Sequence, residues 1–215
     1  MKKTILISVL LVIALITLSG CTKVEYSTTI NKDGSGEISY ICTMNKTVIE
    51  SLGKNNASAT YDLRAKAEGN GYSVEDYETE ELAGFKATKK VQNVSDKSYI
   101  NELFENYVKN GEESKINIKS IPFGKKYLQK AVIDSKELEQ LKELGAVISY
   151  SITLPTKVGK TNADFISKDK KTITWNLDLG TTEEIYFVAK TRTNIFLDIF
   201  NNFSYCYCNS RIYYF

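Results

Sequence analysis

No histidine occurs anywhere in the 215 residues. Its absence removes the usual general base, the Ser-His-Asp and Cys-His nucleophile pairs, and the commonest zinc ligand. Proline occurs twice and tryptophan once, while 42% of residues are hydrophobic and 25% charged. Those proportions exclude a disordered chain, a collagen repeat and a pure coiled coil, and leave a globular class. Net charge is nearly absent too. The formal +2 comes from Lys2 and Lys3, and from residue 21 onward 26 basic side chains face 26 acidic ones. Without a basic block along the chain there is no electrostatic reason to expect nucleic acid as a partner. A membrane-spanning run is also missing. The stretch Ile5 to Leu18 is apolar apart from Ser8 and Thr17. As a helix it reaches about 21 Å, short of the roughly 30 Å hydrocarbon core.

What the amino terminus does carry is an address. Lys2 and Lys3, the short apolar stretch and a small-residue site describe a secretory signal peptide over residues 1–20. Leu18-Ser19-Gly20-Cys21 resembles the bacterial lipobox. There the thiol is alkylated by a diacylglycerol, and small residues at 19 and 20 admit the peptidase. Cys21 is therefore the expected lipidation site, and acyl chains in pairs give stable anchoring. The expected location is the extracytoplasmic face of the cell membrane. Only Thr22 and Lys23 separate Cys21 from the alternating stretch Val24, Tyr26, Thr28 and Ile30. Three residues reach at most about 10 Å, so the folded body is expected to rest against the headgroups.

The other cysteines, Cys42, Cys206 and Cys208, are odd in number and form no disulfide framework. Cys42 shares a strand face with Ile38, Tyr40 and Met44 and reads as a small buried hydrophobe. Cys206-Tyr207-Cys208 lacks companion ligands, so no metal and no cofactor are expected.

Residues 24–44 read as a hairpin turning at Asn31-Lys32-Asp33-Gly34-Ser35-Gly36. That turn lacks the spacing of a calcium loop or of a phosphate loop. Helices are expected over 45–53 and 58–68, then strands over 72–79 and 85–91. The acids Glu75, Asp76, Glu78, Glu80 and Glu81 read as a solvated turn, since nothing nearby would bury one and raise its pKa. The periodicity predicts its clearest helix over 97–110, capped by Ser95 or Asp96 and ended by Gly111. Its apolar stripe is Tyr99, Ile100, Leu103, Phe104, Tyr107 and Val108. Strands over 114–121 and 126–133 and a short helical turn ending at Gly145 follow. Two strongly alternating strands then span 146–154 and 172–179, with Ile148, Tyr150, Ile152, Ile173, Trp175 and Leu177 on the apolar side. One apolar and one polar face points to antiparallel pairing with one side in water. Ile185, Phe187 and Ala189 supply a last strand.

Residues 191–215 fit neither the domain nor a membrane span. Eight of the 21 residues from Ile195 to Phe215 are Phe or Tyr, and Asp198, Asn201 and Asn202 interrupt them. This tail reads as a degraded membrane anchor, with an interfacial aromatic tail as the alternative.

An acylated cysteine leading straight into a strand, the Asn31–Gly36 turn, and then Leu154-Pro155, Gly159, Asn162, Ala163 and Thr172-Ile173-Thr174-Trp175 resemble the LppM-type bacterial lipoproteins. The resemblance covers about residues 18–190 within an extracytoplasmic domain of residues 21–190. It implies an α+β fold in which a curved, mainly antiparallel sheet packs on two or three helices around an apolar cavity. It also implies a non-catalytic module that binds a lipid or other amphiphile; the aromatic helix stripe opposite the Trp175 strand makes Phe104, Tyr107 and Trp175 the candidate ligand contacts. No catalytic residue is expected. The alternative is a protein-interaction or envelope-assembly component that uses an exposed strand edge.

Overall fold

The computed structural model describes residues 22–52, 58–104, 106–143 and 145–191. Strand β1 (Thr22–Ile30) turns into β2 (Gly36–Asn45), with Tyr26 opposite Tyr40 and Ile30 opposite Gly36. The turn places Gly34 at φ +107, and a Cβ on Gly36 would lie 2.3 Å from the Thr29 carbonyl oxygen. Turn geometry thus accounts for both glycines. Asn45 Oδ1 accepts from the Thr47 amide at 2.9 Å and opens helix α1 (Lys46–Leu52). Helix α2 (Ser58–Gly69) precedes β3 (Ser73–Glu78) and β4 (Leu82–Val91).

The predicted helix over 97–110 is corrected by the structure. Helix α3 covers only Tyr99–Leu103, and its cap is Ser98, whose side chain accepts from the Asn101 amide. Beyond it, the segment 107–110 lies along strand β6 (Gly124–Asp134), whose partner β5 (Asn117–Ile121) pairs only with residues 124–128. The Lys109 amide donates to Val132 O at 2.9 Å and the Asp134 amide to Tyr107 O at 2.7 Å. Asn110 accepts from the Val132 amide at 3.0 Å and donates to Lys130 O at 2.9 Å. Satisfying that strand edge outweighs helical periodicity. Tyr99, Ile100, Phe104 and Val108 are nonetheless buried, as the stripe requires.

A 3₁₀ turn at Lys136–Leu138 leads into helix α4 (Glu139–Glu143) and then β7 (Val147–Thr153). Two short strands that the pattern did not announce follow, β8 (Val158–Thr161) and β9 (Phe165–Ile166). Strands β10 (Thr172–Leu177) and β11 (Thr182–Lys190) complete the order.

The fold is α+β, but its architecture differs from one mainly antiparallel sheet on helices. There are two sheets, β3-β4-β2-β1-β7-β10-β9 and β5-β6-β11-β8. The larger is mixed, because β7 pairs parallel to β1 and antiparallel to β10. More than a hundred residues separate β1 from β7, so no hairpin constrains their direction, and α4 delivers β7 to the end where β1 starts.

Alternation decides which face is buried. Tyr26, Tyr40, Tyr150, Ile152, Ile173 and Trp175 all point inward from the larger sheet. Over one half of that face the Tyr40 hydroxyl donates to Leu63 O of α2 at 3.3 Å. Over the other half the Tyr150 hydroxyl donates to Gln129 Oε1 of β6 at 3.0 Å. Helix α2 and the smaller sheet therefore share the covering, and the buried side chains form one cluster. Each large apolar side chain in it is worth roughly 1.5–3 kcal/mol of burial.

Candidate functional site

The three aromatic candidates from the sequence fall in or beside this core. Phe104 meets Tyr26 edge-on at 6.4 Å between ring centroids, Tyr26 stacks on Tyr150 at 5.2 Å, and Tyr150 stacks on Trp175 at 5.6 Å. Phe104 and Trp175 are buried, while Tyr107 is half-buried at the β6 edge. The Trp175 indole N–H donates to Asn162 Oδ1 at 3.0 Å. Asn162 Oδ1 also accepts from the Tyr186 amide at 2.9 Å, and its Nδ2 donates to Glu184 O. Asn162 thus ties β10 of one sheet to β11 of the other. The aromatic row is packing, held by an interstrand amide clip. Cys21 and the aromatic tail lie outside the described residues.

The carboxylates Glu75, Asp76 and Glu78 are exposed and paired, with Lys86 at 3.4 Å, Arg64 at 2.5 Å and Lys46 at 2.6 Å. Cys42 is buried, and desolvation pushes its thiol up to about 11, where it stays protonated and inert. Among the described residues no group of three or more Cys, Asp and Glu side chains is placed to hold a metal.

The outer face of the larger sheet has a different character. Register aligns Ser73, Thr88, Ser39, Ser27, Ser151 and Thr174 in one row across six neighbouring strands, with Phe165 at its end on β9. A parallel row carries Thr29, Thr153 and Thr172. The hydroxyls of Ser151 and Thr174 share a hydrogen bond of 2.8 Å, and those of Thr153 and Thr172 one of 3.1 Å. Toward the start of β1 this face holds a depression of about 400 Å³, lined by Ser27, Ser39, Ser149, Ser151, Thr174 and Asn176 together with the apolar Ile41 and Val147. Lys23, ion-paired with Glu25, also lines it. Hydroxyls both donate and accept, so the floor suits a neutral, polyhydroxylated or zwitterionic group more than a single ion. The sequence announced polar faces for β7 and β10, but the continuous row depends on pairings between distant segments.

A model of the LppM domain matches residues 23–191. The chain belongs to the LppM domain family. Two of the residues that carry the resemblance, Asn162 and Trp175, form one hydrogen bond of the clip between the two sheets of this LppM domain. No curated protein matches the chain. Among solved structures, the NMR structure of the folded domain of Mycobacterium tuberculosis LppM is similar at 14% identity. It covers 81% of this chain and 92% of its own, with a TM-score of 0.49. Among the described residues no helix is long and apolar enough to cross a membrane.

Proposed function

We propose that this lipoprotein is a non-catalytic binding module, anchored by acylated Cys21 on the extracytoplasmic face of the cell membrane. Its ligand is a lipid or other amphiphile, whose polar headgroup is received on the hydroxyl face. One observation carries this reading. Strand β1 begins at Thr22, so the depression spanned by Lys23 to Ser27 starts immediately after the lipidated residue. At about 3.3 Å per residue, its floor lies within roughly 20 Å of Cys21. An amphiphile with its chains in the bilayer can stand its headgroup against that floor. The packed aromatic row argues for recognition at the surface, with the core left closed.

The test is native mass spectrometry of the full chain, extracted from membranes, delipidated and offered a membrane lipid extract. The wild type is expected to take up lipid, and S27V/S151V/T174V to lose at least four-fifths of that uptake while melting normally. No uptake by the wild type, or equal uptake by the variant, overturns the reading. A second reading is favoured by Phe165 and Ile166, which are exposed on the two-residue edge strand β9. In that reading the sheet edge docks a protein, and crosslinking in cells from position 165 would capture one dominant partner.

A further inference from the structure

Charge is balanced along the chain but not along the molecule. The β5–β6 tip lies by the β1–β2 turn, where the Lys125 ammonium donates to Lys32 O at 2.9 Å and Asp33 O at 3.1 Å. The other end of β6 meets the end of β10, where the Ser135 hydroxyl donates to Asp178 O at 3.2 Å. The strands of both sheets therefore share two common ends: one where β1 starts, the other where it turns.

At the turning end, Lys119 stands directly opposite Lys126, and Lys126 directly opposite Lys190. This makes a row of three lysines on adjacent strands about 4.8 Å apart. Among the described residues none of the three has an ion-pair partner, whereas Lys46, Lys86, Lys130 and Lys142 each hold a carboxylate within 4 Å. Lys32 and Lys125 flank the row. Lys157 and the β9–β10 turn, with Lys168, Lys170 and Lys171, extend it across the same end, where the Leu154 amide donates to Lys171 O. Lys90 and Glu37 face each other and cancel. Against these nine lysines stand Asp33, Asp96 and Asp169. Asp33 accepts from Ser35 and lies in the field of Lys125, Asp169 accepts from Ser167 and the Lys171 amide and lies in the field of Lys171, and Asp96 accepts from Asn93, so three of the nine charges are offset and an excess of six remains. Lys170, a non-glycine residue at φ 59, sits at this end. Backbone strain of this kind collects at functional surfaces.

We propose that this end binds a linear polyanion laid across the strands from the Lys119–Lys126–Lys190 row toward the Lys168–Lys171 turn. The lysines are spread along a line and do not converge on a point, which fits an extended chain of repeating anionic groups better than one small anion. Given acylated Cys21 at the start of β1, this end stands roughly 26 Å out from the headgroups. That orientation rests on the proposed anchoring; the binding itself does not.

The experiment uses the full chain in phosphatidylcholine nanodiscs and long-chain inorganic polyphosphate as probe, with affinity measured over a range of salt. Binding is expected to weaken steeply as salt rises. K119E/K126E/K190E should lose at least tenfold in affinity with an unchanged melt, while K46E/K142E at the other end should stay within twofold. F123S should bind polyphosphate like the wild type. Absence of salt-sensitive binding, or an unaffected triple variant, overturns the proposal. If phosphatidylglycerol vesicles displace polyphosphate and F123S abolishes the vesicle contact, this end is a membrane contact and the proposal is equally overturned. Intact mass of the same sample reports acylation of Cys21, so a failure of the anchoring is read separately.

Discussion

Where β1 begins, four lysines are matched: Lys23 pairs with Glu25, Lys46 with Glu78, Lys109 with Asp134 and Lys142 with Asp178. Where β1 turns into β2, Lys119, Lys126 and Lys190 face one another, and among the described residues no carboxylate pairs with them. The same strands build both ends, so the difference is not one of fold. Neighbouring like charges about 5 Å apart in water repel by roughly 0.8 kcal/mol before screening. Matched at one end and unmatched at the other, the lysines concentrate positive potential where β1 turns. The hydroxyl-lined depression lies toward the start of β1, and the basic surface lies away from it.

The comparison can be broken most severely at the glycines that close each end. A Cβ on Gly84 would sit 1.9 Å from Cys42 O and 2.8 Å from the Thr43 Cα, inside the β2–β4 ladder. Gly84→Ala is expected to cost about 3–5 kcal/mol in chemical denaturation. Between the ends, Asn162→Ala removes the acceptor shared by Trp175 and the Tyr186 amide. A loss of about 2–4 kcal/mol is expected, seen as a lowered melting temperature.

Burial pushes the Cys42 thiol, opposite Val24 near the start of β1, up to about 11. The folded state holds that proton more tightly than the unfolded chain, whose thiol titrates near 8.5. Its contribution is therefore complete below about pH 8.5 and lost as pH rises through 11, about 2–3 kcal/mol in all. Denaturation curves across that window check the sign. Gly124→Ala acts in the same way where β1 turns. Its Cβ would meet Thr191 O at 2.1 Å, on a residue that hydrogen bonds tie to Lys125, and about 2–3 kcal/mol is expected. Smallest of all, Lys126→Glu replaces two repulsions by attractions and should stabilise by about 0.5 kcal/mol, an effect that salt near 1 M removes. Lys142→Glu, which destroys a pair with Asp178, should act in the opposite direction.

Period-two alternation made β1, β2, β7 and β10 legible, because Tyr26, Ile38, Tyr150 and Trp175 must share one buried side. Of the stripe from Tyr99 to Val108, Tyr99, Ile100, Phe104 and Val108 are buried as expected, but the helix ends at Leu103. Asn110 and the edge of β6, some twenty residues away, decide that stretch. The parallel β1–β7 pairing was hidden for the same reason, since local pattern carries no strand direction. The candidate surfaces were least legible. Ser27, Ser151 and Thr174 become neighbours only through register, as do Lys119, Lys126 and Lys190. A charge count sees balance, and only topology separates the signs. Phe104 and Trp175 drew attention as large aromatics, but their surroundings are those of a packed core.

The proposed function depends on how closely the body is held to the bilayer. Neutron reflectometry of the full acylated chain on a supported bilayer measures this directly. The expected profile has protein density beginning at the headgroups, with no water layer between them. A hydrated gap of about 20 Å or more, twice what three extended residues reach, would contradict it.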